Sequence, residues 1–596
     1  ALHPGWGFLA ENADFAQAVI DAGLVWVGPP PAAMRALGDK ACARRQAAAL
    51  GLPIVPGWDD DDGDDERLAA EAERIGWPLL VKASAGGGGR GLRRVERLAD
   101  LAAALQAARR EARAAFGDDR LVLERAVERP RHVEFQVFAD AHGRVIHLGE
   151  RDCSVQRRHQ KLVEEAPCPA LDAARRREIG AQAVALARAA GYVGAGTIEW
   201  LLAPDGRWHF IEANARLQVE HGVTEALVGV DLVEWQLRVA AGAPLPLAQD
   251  EALRRFESGG HAIEARLCAE DARHGDLPAS GTLAAWRAPG GVRCDHALAD
   301  GEHIAPHYDS LLAKPIAHGP TRDAARQRLA RALDATLALG VPTNRSLLAA
   351  VLRHDAFARG DATTGFLDEH FSDRAATLPA PDGAVLALAA LWLAAHAAAD
   401  LPAAWAASAL AGPPALTLRL GVGPGVEVWR VARERGALRV EGRGAAWRCT
   451  PPRWSVSGPL RVLDTELAAG DAAPRRRRLE ALLVGDAGGA RLVGRCDGVD
   501  LDLCDLGLAP PRRARAAGDG ALHAPMHGRL LHLHAAIGEQ VEQGQILAVL
   551  EAMKMEHALA APLAGRVRAV HAVPGSQVGA AQLLVEIEPI RSEEPQ

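Results

Sequence analysis

Between Trp77 and Glu225, short runs rich in β-branched and aromatic residues alternate with stretches of helical periodicity, which predicts α/β or α+β folding. Helices are expected over 98–115 and 173–190, and a further helical pattern over 67–75 follows an acidic run at 59–66. That run reads as a solvated loop whose carboxylates sit at a helix amino end. After Phe371 the texture changes. Residues 384–399 are mostly alanine and leucine, and the longest apolar run, 384–395, stops at His396. It is shorter than the roughly 20 residues that cross a bilayer, so a buried or interface helix is predicted. Alternating strands follow at 415–422, 426–432 and 437–442, split by turns rich in Gly, Pro and Asp, as in an antiparallel barrel or sandwich. The basic cluster Arg475–Arg478 lies between two strands and is predicted to be an exposed loop.

The last segment repeats itself. Ala524-Pro525-Met526-His527-Gly528-Arg529 recurs 37 residues later as Ala561-Pro562-Leu563-Ala564-Gly565-Arg566, and the offset persists through Gly538/Gly575, Val541/Val578 and Gln545/Gln582. Two equal β-rich halves imply a small quasi-symmetric barrel. Met553 and Lys554 fall between the halves, where an exposed hairpin tip is expected.

A chain of 596 residues exceeds one hydrophobic core, so three or four domains are expected. A net charge of −8 with dispersed basic residues argues against nucleic acid as a partner. Eight cysteines without a C-x-x-C pair point to free thiols in a reducing compartment. The opening Ala1-Leu2-His3-Pro4-Gly5 reads as mid-domain sequence, so part of an amino-terminal fold is expected to be missing.

Three constellations carry chemistry. Lys554, on a rigid tip between Met553 and Met555, suits acylation by a modifying enzyme and delivery of the attached group. Asp205-Gly206 is a strong hairpin signal, and pairing mirrored about it sets Glu199 opposite Glu212 and Thr197 opposite Asn214. Facing carboxylates repel unless a cation lies between them, and oxygen-only donors suit Mg²⁺ or Mn²⁺. Third, a strand ending at Lys82 runs into Gly86–Gly89, a loop whose amides could approach phosphates, though no Gly-Lys-Ser/Thr closes it as in a Walker loop.

Two families are resembled. Ala552-Met553-Lys554-Met555 matches the signature of biotinyl domains, with His527 where that family has proline. His3-Pro4-Gly5-Trp6-Gly7-Phe8-Leu9, Gly38-Asp39-Lys40, the run Glu150 to Lys161 and the run Glu212 to Glu220 together resemble biotin carboxylase from Leu2 to about Phe371. The resemblance implies a multidomain α+β chain. Residues 1–36 would be a remnant of the carboxylase amino-terminal domain. Residues 37–254 would be an ATP-grasp domain with a glycine-rich lid at about 54–126, and 255–372 the carboxylase carboxy-terminal domain. A helix plus antiparallel β-barrel docking domain over 373–516 and an all-β biotinyl/lipoyl-type flattened barrel over 518–590 would follow.

It further implies ATP on Lys40, Lys82, Gly88, Gly89, Glu124, Arg125, Val127, His132, Gln156 and His159, and Mg²⁺ or Mn²⁺ on Glu199, Glu212 and Asn214. Bicarbonate would meet Lys161, Arg216 and the Val219 backbone, Glu220 would take its proton, and Arg293 would stabilise the enolate of biotin. Biotin would be covalent on Lys554, placed there by a biotin protein ligase. A separate carboxyltransferase β subunit holding the acyl-CoA, of methylcrotonyl or geranyl type, would complete an α/β hetero-oligomer. The location implied is bacterial cytoplasm, or the mitochondrial matrix in a eukaryote. Arg125 stands where the family has lysine, and Ala213, Ala215 and Gly222 replace bulkier residues, which suggests a looser site. The alternatives are a catalytically dead carrier and docking subunit, an α subunit of propionyl- or acetyl-CoA carboxylase, and another ATP-grasp ligase.

Overall fold

The computed structural model describes residues 1–60, 64–84, 92–157, 159–399, 415–422, 425–434, 437–470, 472–486, 489–506, 520–553 and 555–589. Gly88, Gly89 and Lys554 lie outside them.

The centre of the amino-terminal half is a nine-stranded sheet. Its main path runs Leu267–Cys268, Leu311–Gly319, His261–Ala265, Gln160–Ala166, Val145–Arg157, Arg131–Ala139, Gly194–Leu202, Trp208–Asn214, and Arg293–His296 also pairs with Leu311–Gly319. Every pairing is antiparallel, which decides for α+β over α/β. Helix Ala173–Ala189 and the amino-terminal helices Ala13–Asp21, Pro31–Gly38 and Lys40–Ala49 share one core with it, built on Phe135, Trp200 and Phe210. A smaller antiparallel sheet, Gly57–Trp58, Leu121–Arg125, Leu79–Ala83, Arg93–Val95, packs on helices Asp65–Ile75 and Leu98–Phe116 around its own core. Asp64 caps the first of these helices by accepting from the Arg67 N–H, so the acidic run ends as a helix start, as its composition suggests.

Eight strands between Leu416 and Asp505 close into a barrel, because Ala445–Cys449 pairs with Leu460–Ala469 at the seam. Helix Gly383–Ala399 packs against the inner faces of its strands, and every residue from Val385 to Leu393 is buried. A helix apolar all round needs neighbours all round, and the barrel supplies them. Among the described residues no helix is long and apolar enough to cross a membrane. Arg475–Arg478 is not a loop: it opens strand Arg475–Asp486, paired with Leu460–Ala469. The arginines are tolerated there because Arg475, Arg476 and Arg478 stay exposed, while the mostly covered Arg477 pairs with Asp497 and Arg476 lies 3.6 Å from Asp464.

The repeat folds as a two-fold related pair of four-stranded sheets. Gly528–Leu533, Gln540–Val541 and Ile546–Ala552 have their counterparts 37 residues on in Gly565–Val570, Gln577–Val578 and Leu583–Pro589, one sheet borrowing strands from each half. Met553 turns the hairpin between Ile546–Ala552 and Met555–Ala560 with a left-handed φ of 47°. The sequence predicts exposure there, yet the residue is buried, at 5%. The reason is contact with residues between Ala269 and Val341. All eight cysteines are free.

Candidate active site

The carboxylate hairpin forms as the mirrored pairing predicts at its functional end: Glu199 faces Glu212 and Thr197 faces Asn214. The route differs. The turn holds three residues, with Ala203 and Arg207 bonded across it at 2.8 Å and Gly206 at φ 83°, which shifts the register by one. A bulge beside Glu199/Trp200 shifts it back. The two departures cancel.

Strand Arg131–Ala139 lies beside this hairpin with Glu134 opposite Glu199. Its period of two puts Val133, Phe135 and Val137 in one core and His132, Glu134 and Gln136 on the opposite face. That face is the floor of the site. Lys161 Nζ reaches three carboxylates at once: Glu134, Glu199 at 2.8 Å and Glu220 at 2.9 Å. Arg151, completely buried, bonds Glu134 at 2.6 Å, and Arg266 bonds Glu220 at 2.8 Å. Three acids thus meet three cations in a largely buried cluster. Such a cluster stands only while every member is paired, because an orphaned buried charge is costly.

The electrostatics follow from those contacts. Burial opposes ionisation of Glu199, yet Lys161 and His132 (2.6 Å) hold its carboxyl well below the usual range. Glu220 is likewise penalised by burial, and Lys161, Arg266 and Arg151 prevail to keep it ionised. Glu134 goes the other way, pushed up by burial and by Glu220. Burial works against charge on Lys161 too, but its three carboxylates keep it protonated.

The remaining implied residues surround this floor. Asn214 donates to Glu199 at 2.8 Å, and Lys40 lies 3.5 Å from the partly exposed Glu212. Two facing carboxylates and an amide fit Mg²⁺ or Mn²⁺ by donor type and by the half-open position of Glu212. Groups of His, Cys, Asp and Glu with mutually close donor atoms, among the described residues, are His132/Glu134/Glu199 and Glu134/Cys153/Glu220. In both, Lys161 or Arg151 already pairs with carboxylates, as Lys161 does with Glu199 of the hairpin. Lys82 pairs with Glu124, which also meets Arg44 at 3.2 Å. Arg125 reaches the Ile75 carbonyl at 3.2 Å. Val127, Gln156 and His159 line a cavity of about 690 Å³. Arg216 is held by Glu11 at 2.9 Å and by Gln218, and Arg293 by Glu225 at 2.6 Å and Asp295. The Val219 carbonyl accepts from Lys314 at 2.5 Å. The site is not loose at Gly222: a Cβ there would come within 2.5 Å of Ile316 Cδ1, and Ala213 and Ala215 are buried.

Glu134, Arg151, Arg266 and Lys314 are site residues that the sequence reading misses. A signal existed for two of them. His132-Val-Glu134-Phe-Gln136 within a strand, and Glu264-Ala-Arg266 at the end of one, alternate polar and apolar residues in stretches too apolar elsewhere to face solvent.

Behind the floor sits Glu264, wholly buried, with neither carboxylate oxygen hydrogen-bonded and Lys314 at 3.8 Å. Burial pushes it up to about 8, Lys314 opposing and Glu164 assisting. At pH 7 the folded protein therefore holds a proton there that the unfolded chain, titrating near its ordinary value, has lost. Stability contributed by this group falls as pH rises from the unfolded pKa towards 8. Glu264→Gln is expected to remove that slope. The stability gap between variant and parent should widen by at most about 1.4 kcal/mol per pH unit between pH 5 and 8. Equal pH dependence of the two thermal melts refutes the assignment.

Four family models match successive parts of the chain. Residues 1–34 match the family described as biotin carboxylase, N-terminal domain, and 39–248 the carbamoyl-phosphate synthase L chain, ATP binding domain. Residues 264–369 match the biotin carboxylase C-terminal domain and 520–587 the biotin-requiring enzyme domain. The propionyl-CoA carboxylase alpha chain of Ruegeria pomeroyi is 36% identical over 593 residues, covering 94% of this chain and 84% of its own. The chain belongs to the alpha-subunit family of biotin-dependent acyl-CoA carboxylases. The mitochondrial methylcrotonoyl-CoA carboxylase subunit alpha of Arabidopsis thaliana is 46% identical over 377 residues, 63% of this chain. This alpha-subunit homologue spans about half (51%) of that relative's length. Its carboxylase half is similar to the biotin carboxylase domain of Hydrogenobacter thermophilus 2-oxoglutarate carboxylase, solved with MgADP, ADP and bicarbonate. That match has 44% identity and a TM-score of 0.60, covering 62% of this chain and 81% of that one.

Proposed function

We propose that this chain uses ATP and bicarbonate to carboxylate biotin carried on Lys554, the first half-reaction of an acyl-CoA carboxylase. The observation that carries the reading is Lys161 held among Glu134, Glu199 and Glu220 beside the Glu199/Glu212 hairpin. Bicarbonate is a poor electrophile until ATP activates it, and an anion in that position needs fixed cations. Lys161 and Arg216 offer them. Lys40 and Lys82 stand on the phosphate side, beside Glu212 and Glu124. Glu199, Glu212 and Asn214 would hold a divalent ion, which would supply charge neutralisation for the phosphates. Glu220 Oε accepts the bicarbonate proton, and Arg293 serves the biotin side. Entry of an anion beside Lys161 draws that cation partly away from Glu220 and raises the carboxylate's proton affinity, so the base gains strength only when substrate is present.

The second half-reaction belongs to a separate carboxyltransferase β subunit that holds the acyl-CoA, and Lys554 is loaded by a biotin protein ligase. The names of the relatives support a methylcrotonyl-type substrate, with propionyl as the second choice. No membrane or nucleic-acid partner is invoked, and a bacterial cytoplasm or a mitochondrial matrix suits the reading.

The deciding measurement is ATP hydrolysis with free biotin. Release of ADP that depends on both bicarbonate and biotin supports the proposal. Hydrolysis indifferent to bicarbonate, or none at all in a chain that still takes up biotin, supports a carrier without catalysis.

A further inference from the structure

Met553 is the clearest feature the catalytic reading leaves unused. A hairpin tip at left-handed φ is normally a solvated place, and a methionine there exposes apolar surface. Here the side chain is buried in a cluster of Ala269, Leu283, Ile304, Leu312, Ala338 and Val341, all from the carboxylase carboxy-terminal segment. Its N–H donates to the Pro306 carbonyl at 3.2 Å. A second point of contact stands apart from the first: Leu277 of the same segment packs on the carrier's own core.

The socket is joined to the catalytic cleft by covalent structure. Strand Leu311–Gly319 carries Leu312 and, on the same face two residues on, Lys314, which bonds the Val219 carbonyl and lies 5.3 Å from the Trp6 ring. Strand Arg293–His296, bearing Arg293, pairs along it. Two residues after Pro306, the Tyr308 ring meets Phe8 edge-on at 6.5 Å. A tip seated here lies against the elements that wall the site.

We propose that Met553 is the docking anchor by which this chain's own carrier domain seats on its carboxylase half, presenting the adjacent Lys554 for carboxylation. The proposal rests on the proposed function and adds the surface and the residue that make the encounter specific. Among the described residues, the contact centres on one methionine, its backbone hydrogen bond and one leucine. That suits a carrier that must leave again, since tethering on the same chain raises the effective concentration and a tight site would trap it. Methionine fits such a role because its flexible thioether conforms to an irregular pocket without fixed geometry.

Two measurements on the full chain test this. The hydrogen bond between residues 553 and 306 places them close enough for a disulfide. Met553→Cys with Pro306→Cys is expected to cross-link under mild oxidation at least tenfold faster than Ile537→Cys with Pro306→Cys, whose carrier position is exposed. Independently, Ile304→Asp puts a charge in the socket. It should keep Lys554 biotinylation and the free-biotin rate within twofold, while carboxylation of the chain's own biotin falls at least tenfold. Cross-linking no faster than the control overturns the proposal, as does an unchanged chain-borne rate in Ile304→Asp. If Ile304→Asp loses the free-biotin rate as well, it has misfolded and the cross-link decides. A parent chain without free-biotin activity would sink the catalytic reading, and the cross-link would still decide docking by itself.

Discussion

Replacing Glu220 by glutamine is expected to lower bicarbonate- and biotin-dependent ATP turnover by about 10²- to 10⁴-fold, the range for loss of a general base. The variant should fold. Lys161 keeps Glu134 and Glu199, and Arg266 keeps Glu164, so neither cation is orphaned. Glutamine preserves shape and can still hydrogen-bond, but its amide cannot take a proton. ATP binding, measured as nucleotide affinity without turnover, should move by less than about threefold, because the role proposed for Glu220 is on bicarbonate and the proposed nucleotide contacts are other residues. The parent's acid limb carries a second check. Lys161, Arg266 and Arg151 hold Glu220 ionised well below the usual carboxylate range, so the free enzyme's activity should not fall with a midpoint between pH 5 and 6 on its account. A variant within threefold of the parent rate removes Glu220 from the mechanism.

The sequence made some features of this site legible and hid others, and the division is physical. Local chemistry was readable. Asp205-Gly206 announced a hairpin, and the pairing of Glu199 with Glu212 held although both the turn and a bulge departed from the simplest geometry. A repeat offset of 37 residues survived as strand-for-strand symmetry because both halves bury the same faces. The alanine- and leucine-rich segment at 384–399 read as buried, but nothing in its own pattern says that a closed barrel surrounds it. Arg475–Arg478 misleads because dense charge argues against a strand. On a solvent-facing strand, cross-strand partners and water satisfy arginines without any loop. Long-range partners were the least visible. Arg266, in the break between strands His261–Ala265 and Leu267–Cys268, and Lys314 reach Glu220 and Val219 from far along the chain, and no local period encodes that meeting. Met553 failed for the same reason: its burial comes from residues more than two hundred positions earlier.

The other large effect concerns Lys554. Lys554→Arg is expected to abolish streptavidin-detectable biotin on the chain and, with it, all carboxylation of chain-borne biotin, because guanidinium stays protonated at any working pH and offers no free amine to acylate. The free-biotin rate should stay within about twofold, since the floor built by Lys161, Glu134, Glu199 and Glu220 lies in another part of the fold. Arginine keeps length and charge beside Met553, so the cross-link between positions 553 and 306 should also persist. That combination separates the roles: the lysine carries, the methionine docks and the carboxylase half does chemistry. Residual biotin on Lys554→Arg would mean that another lysine is the acceptor. Loss of the free-biotin rate in the same variant would mean that the carrier tip completes the catalytic cleft as well as delivering to it.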